Sequence, residues 1–197
     1  MKTIYFVLAW FGVMLGLSLA GTFDVTDGRP PLPLLLAVII PVLIYVLDRR
    51  LLKGAVFGGI QAMSQSSVIF LQVDRIIGGA FLVEYAKGNL PSGFALPAGL
   101  GDVAIGLAAP WVANNLLTGK THAIKTARVW NYLGIFDLVL ALTMGVTHAT
   151  SPLGIFAQDV SMHPISQYPL SLIPTWAVPL AIILHLRSLQ SLREPRI

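Results

Sequence analysis

Four ionisable side chains lie inside stretches apolar enough to sit in lipid: Asp74 and Arg75 in VDRIIGG, Asp102 in LPAGLGDVAIGLAAP and Asp137 in WNYLGIFDLVLALTMGVTH. A charge at the centre of a transmembrane helix costs ~2.5–3.5 kcal/mol on insertion scales, so such residues face inward and find partners. The chemistry open to them is narrow. A buried arginine can hold an anionic group or set the local potential, and buried carboxylates can accept a proton or a cation. Gln72, Asn131 and His185 fall close enough in the pattern to add polar contacts, which makes seven candidate residues for a midplane substrate or ion site.

Asp74 and Arg75 do not neutralise each other if the segment is an α-helix. Adjacent residues project about 100° apart, and only positions three or four apart meet. Arg75 then shares a face with Gln72 and Gly79, and Asp74 lies over Ile77 and Gly78. Each must reach another helix. In the fourth apolar segment Ala95, Gly99, Asp102, Gly106, Ala109 and Ala113 make a stripe of small residues carrying one carboxylate. Asn131, Gly134, Asp137, Ala141, Gly145 and His148 do the same in the fifth. Such stripes let helices approach closely. One arginine against three aspartates leaves the midplane at −2 if all are ionised, so at least one carboxylate is expected to be protonated or a cation bound.

The elements that position these residues follow from composition. The chain has 197 residues, 55% hydrophobic and 11% charged, with a mean hydropathy of +0.77. A soluble domain carries roughly 25% charged residues, so an integral membrane protein is expected, with the lipid bilayer as its surroundings. A span needs ~20 apolar residues. Six segments are predicted, over about 3–20, 33–47, 66–85, 94–117, 127–146 and 168–186, forming one all-α domain over 1–197. Residues 51–65 read as a short interfacial helix before the third span, with Arg50, Lys53, Gln61, Ser64 and Gln65 on one face and Leu52, Val56, Ile60 and Met63 on the other. On this layout Arg75 lies ~14 Å and Asp137 ~15 Å from the cytoplasmic ends of their spans, and Asp102 ~10 Å from the outer end of its own.

Ten of the 13 basic residues fall on one side of the six spans, leaving Arg29 and Lys87 opposite and Arg75 within. That places both termini in the cytoplasm. The basic residues sit in short loops, which speaks for topology and against a nucleic-acid partner. The first segment also resembles a signal peptide ending at Ser18-Leu19-Ala20. Its length and its Gly12…Gly16 packing pattern favour retention as a helix.

Other chemistries have little support. With no cysteine there are no disulfides, thiolate metal sites or Fe–S clusters. Thr118-Gly119-Lys120-Thr121 looks like the end of a P-loop, but Asn114 stands where its first glycine belongs. HExxH and GxSxG are absent and no lysine lies deep in a span, so nothing specifies an enzyme. His148, Asp159 and His163 are weak candidates for an outer divalent-metal site. Two histidine pairs, one toward each face, suggest a two-haem cytochrome. Most of them lie in loops or at span ends, however, and no cofactor is expected. Pro169, Pro174 and Pro179 should bend the last span and free carbonyls toward a cavity.

The motifs FLQVDRIIGGAFLV, LPSGFALPAGLGDVAIGLAAP, WNYLGIFDLVLA and SLIPTWAVPLAIILHLRSL together resemble a family of small, uncharacterised bacterial six-span membrane proteins, over roughly residues 60–190. The resemblance implies a bacterial inner-membrane location and no established activity. Three functions are therefore expected in order: a small transporter or channel-like protein for protons, a cation or a small solute; a membrane-embedded accessory or sensory subunit, with a homo-oligomer among its forms; and a haem or metal redox protein.

Overall fold

The computed structural model describes residues 2–25, 29–157 and 159–193, with the side chain of Lys2 left out. Among the described residues the chain is all-helical, without strands. The elements are α1 (Lys2–Leu19), α2 (Leu32–Arg50), α3 (Gly58–Ala62), α4 (Gln65–Phe70), a 3-10 segment (Leu71–Gly78), α5 (Gly79–Ala86), α6 (Ser92–Leu117), α7 (Ala123–Thr147) and α8 (Val178–Ser191). A 3-10 turn at His163–Ser166 and a π-turn at Ile173–Ala177 precede α8.

Four helical stretches are long and apolar enough to cross a membrane: Leu32–Arg50, Gln65–Ala86, Ser92–Leu117 and Ala123–Thr147. The second span, expected to be short, is thus of full length. The first helix is shorter and the last is interrupted, because Pro174 and Pro179 lack the N–H groups that a regular α ladder needs. The chain answers with a π-turn in which the Val178 N–H reaches Ile173 O.

Helix α6 is the hub. One side packs along α7 and another along α4, the 3-10 segment and α5, while α8 bridges α2, α4 and α7. The glycines of α6 set these approaches: a Cβ on Gly99 would enter Leu82, and one on Gly106 would crowd Ile76. The core falls into layers, with Phe81, Phe94, Ala98 and Leu138 on one level and Ala109, Val112, Ala127 and Trp130 on another. A third layer, with Trp10, Tyr45, Phe57, Ile183 and Leu184, joins α1, α2 and α8.

Two sequence expectations change here. Residues 51–65 are not a continuous interfacial helix. Lys53 and Gly54 take positive φ, and the Asp48 carboxylate accepts the N–H groups of Val56 and Phe57 at 2.9 Å each. The chain is turned back and Phe57 is buried against Phe6 and Tyr45, so only Gly58–Ala62 is helical before α4 begins at Gln65. The Gly12…Gly16 pair packs nothing, since an added Cβ at either would meet no atom within 4 Å. Instead α1 is held by other residues. Ser18 bonds Ser171 at 2.5 Å, Phe11 meets the ring of Trp176, and Thr3 bonds Val56 O and Gly59 N.

Candidate functional site

The site begins with the geometry of residues 71–78. A 3-10 helix has three residues per turn, so side chains three apart stand in line. Gln72, Arg75 and Gly78 are accordingly the buried residues of this segment, while Leu71, Ile76 and Ile77 face outward. On an α-helix Gln72 and Gly78 would point about 240° apart. This corrects the expected pairing of Arg75 with Gly79: the line runs through Gly78, not Gly79. Eight residues wound this tightly are unusual.

Gly78 is where α6 presses in. A Cβ there would overlap the Asp102 carboxylate, and its absence lets Asp102 lie beside Arg75. Asp102 and Asp137 each lie about ten residues, or ~15 Å, from the same end of the bundle, so the two carboxylates stand level. The Arg75 side chain is 3% exposed and fills the space between them. Its Nε and Nη2 both donate to Asp102 Oδ1, at 2.8 and 2.7 Å, and Nη2 also pairs with Asp137 Oδ2. Nη1 donates to Gly134 O at 3.1 Å and to His185 Nε2 at 3.2 Å.

A guanidinium has five N–H groups and no acceptor. All five donors of Arg75 are thus taken, and none remains for an anionic substrate. Of the two roles the sequence left open, holding an anionic group would need a donor that the described bonds do not leave free. The bond to His185 also fixes that ring. Since arginine only donates, His185 Nε2 accepts and the proton sits on Nδ1, which donates to Asn131 Oδ1 at 2.9 Å. Asn131 Nδ2 then donates to Ala127 O and Ser188 Oγ, both at 2.7 Å, and Gln65 Nε2 donates to the same hydroxyl at 2.7 Å. A hydrogen-bonded chain therefore runs from Arg75 through α7 and α8 to the start of α4. Gln72 stands aside from it and donates to Ala181 O at 3.0 Å.

The structure thus gathers Arg75, Asp102, Asp137, His185 and Asn131 into one cluster. Asp74 lies beside it, and its buried Oδ1 has no hydrogen-bond partner among the described residues. Ser188 and Gly101 were not foreseen. Ser188 joins the chain described above, and a Cβ on Gly101 would overlap the Asp137 carboxylate. Gly134 likewise leaves room for the His185 ring, which also meets the Trp130 ring at 5.0 Å in a tilted contact.

The outer metal candidates do not assemble. His148 is buried against Gly93 and its Nδ1 donates to Met144 O at 2.9 Å, while His163 faces Asp24 at 3.8 Å and Asp159 is exposed. Among the described residues no three His, Asp or Glu side chains are grouped to hold a metal ion.

Two cavities adjoin the cluster. The larger, about 90 Å³, opens between the start of α6, the end of α7 and residues 161–166; its walls include Phe81, Phe94, Ala141 and Ile165, and Asp102 stands at its inner end. The smaller, about 20 Å³, has room for roughly one water and is lined by Asp74, Arg75, Asp102 and Ala177. Leu138, Ile173 and Val178 line both.

Fold and site together define an all-helical protein with helices long enough to span a membrane, built round a buried arginine held by two aspartates. Residues 31–193 match the model of a family described as a domain of unknown function, DUF8737, and the chain belongs to that family. No curated protein and no solved structure matches it.

Proposed function

We propose that this protein is a six-span carrier of a bacterial inner membrane, moving protons, a cation or a small solute through the midplane cluster of Arg75, Asp102 and Asp137. In this reading α1 and the interrupted helix ending in α8 complete the six spans, and both termini are cytoplasmic. Arg49, Arg50, Lys53, Lys120, Lys125, Arg128, Arg187 and Arg193 support that orientation by falling at one end of the helices. Lys2 and Arg196 of the same set have side chains outside the described residues. The larger cavity then faces the outer side of the membrane.

The observation that carries the reading is the position of Asp102. It is the arginine's main partner and also the inner end of a cavity with an open mouth. A charge kept only for packing has no need of such an approach. A carrier fits better than an open pore, because the bonded groups from His185 to Ser188 fill the space on the cytoplasmic side of the arginine.

The experiment is flux into liposomes under an imposed gradient, followed with a pH-sensitive dye and with monovalent cations. Asp102→Asn and Asp137→Asn should abolish flux while helix content and particle size stay unchanged. The accessory-subunit reading draws support from the fully bonded arginine. It would take precedence if these variants lost stability or assembly and wild-type flux equalled that of empty vesicles.

A further inference from the structure

The hydrogen-bond capacity left unspent at this site is all of one kind. Every N–H of Arg75 is engaged, so the cluster offers no free donor from its arginine. On the acceptor side, Asp102 Oδ1 takes both bonds from the guanidinium, while Oδ2 lies against Gly78 and makes no hydrogen bond to a described residue. Asp74 Oδ1, on the wall of the smaller cavity, is also without a partner. Asp102 is 6% exposed and lines both cavities. The excess of carboxylates over the single arginine leaves the wall electron-rich, and the remainder of the larger cavity is built mainly from aliphatic and aromatic side chains.

We infer that the larger cavity is a binding site for a small organic ammonium ion with a compact apolar body, its N–H groups received by the Asp102 carboxylate. This rests on the carrier reading and names the class of solute the carrier would take. Size follows from volume. An apolar cavity on the order of 150 Å³ takes up benzene, so one of about 90 Å³ suits a body of about four heavy atoms with the charged end innermost. Mostly apolar walls with a few polar groups are the usual composition of a small-molecule site, and here Asp102 is the one carboxylate among them. An inorganic cation would find too few oxygens: calcium takes six to eight and magnesium six. An anion would meet the Asp102 carboxylate at the inner end, with no free donor from Arg75 to offset it.

The test is binding of n-propylammonium and of the neutral n-propanol to the full-length protein in lipid nanodiscs, by saturation-transfer NMR titration. The ammonium ion should bind about tenfold tighter or more, as a charge-assisted hydrogen bond allows. Asp102→Asn should remove that difference while n-propanol still binds, which also shows that the cavity persists. Ala141→Phe, which fills the cavity from α7, should weaken both probes. Equal affinity of the two probes for the wild type, or an ammonium preference that survives Asp102→Asn, would overturn the inference. Flux separates the two claims. Ammonium binding without Asp102-dependent flux retires the carrier and keeps the site; Asp102-dependent proton flux without ammonium binding does the reverse.

Discussion

Arg75 has all five of its N–H donors engaged inside a protein interior, and that completeness sets what substitution should do. Removing one partner of a buried ion pair leaves an uncompensated charge and costs about 3–5 kcal/mol. Arg75→Ala should therefore lower thermal stability in detergent by that order. Arg75→Lys should rescue little, because a lysine has three donors on a point-like head and cannot bridge Asp102, Asp137, Gly134 and His185 together. A glycine pair gives a sharper contrast. Gly101→Ala drives a methyl into the Asp137 carboxylate and should cost about 1–3 kcal/mol, as overpacking does. Gly12→Ala meets nothing and should be neutral or slightly stabilising; thermal unfolding of both variants checks the difference. At this scale the five clustered residues were legible because a polar group among apolar ones must find a partner. Ser188 and Gly101 were not, since a serine or glycine in an apolar helix carries little penalty and so little signal.

The elements depart from the sequence pattern where tertiary contacts decide the winding. VDRIIGG reads as α-helix from its apolar run, and nothing local separates that from a 3-10 winding. The tighter form lines up Gln72, Arg75 and Gly78, and its reason lies across the interface in Asp102, which needs the space at Gly78. The segment at 51–65 misled for a related reason. Its alternating polar and apolar residues fit an interfacial helix, but Asp48, one turn before it, captures two backbone N–H groups and turns the chain. Asp48→Ala should leave those donors unpaired at about 1–3 kcal/mol each. The effect should appear as faster amide exchange at Val56 and Phe57, with residues 71–78 unchanged; uniform acceleration would speak against a local role.

For the molecule as a whole, apolar length foretold four long helices and the two ends of the chain less well. The prolines before α8 announced a bend, while the π-turn and the cavity beside it depend on how α7 and α8 meet. The central claim is that, in the conformation described, the open approach to Asp102 is the larger cavity, which on the proposed orientation faces the outer side. Ala141 lies on the cavity wall, and Val139, two residues away, is 52% exposed on the other face of α7, where lipid would lie. The chain has no cysteine, so single-cysteine variants can be read without background. In oriented membrane vesicles an impermeant maleimide should label Ala141→Cys faster when added at the outer face than at the cytoplasmic face, and should leave Val139→Cys unlabelled from both. Faster labelling of Ala141→Cys from the cytoplasmic face, or labelling from neither, would contradict the claim.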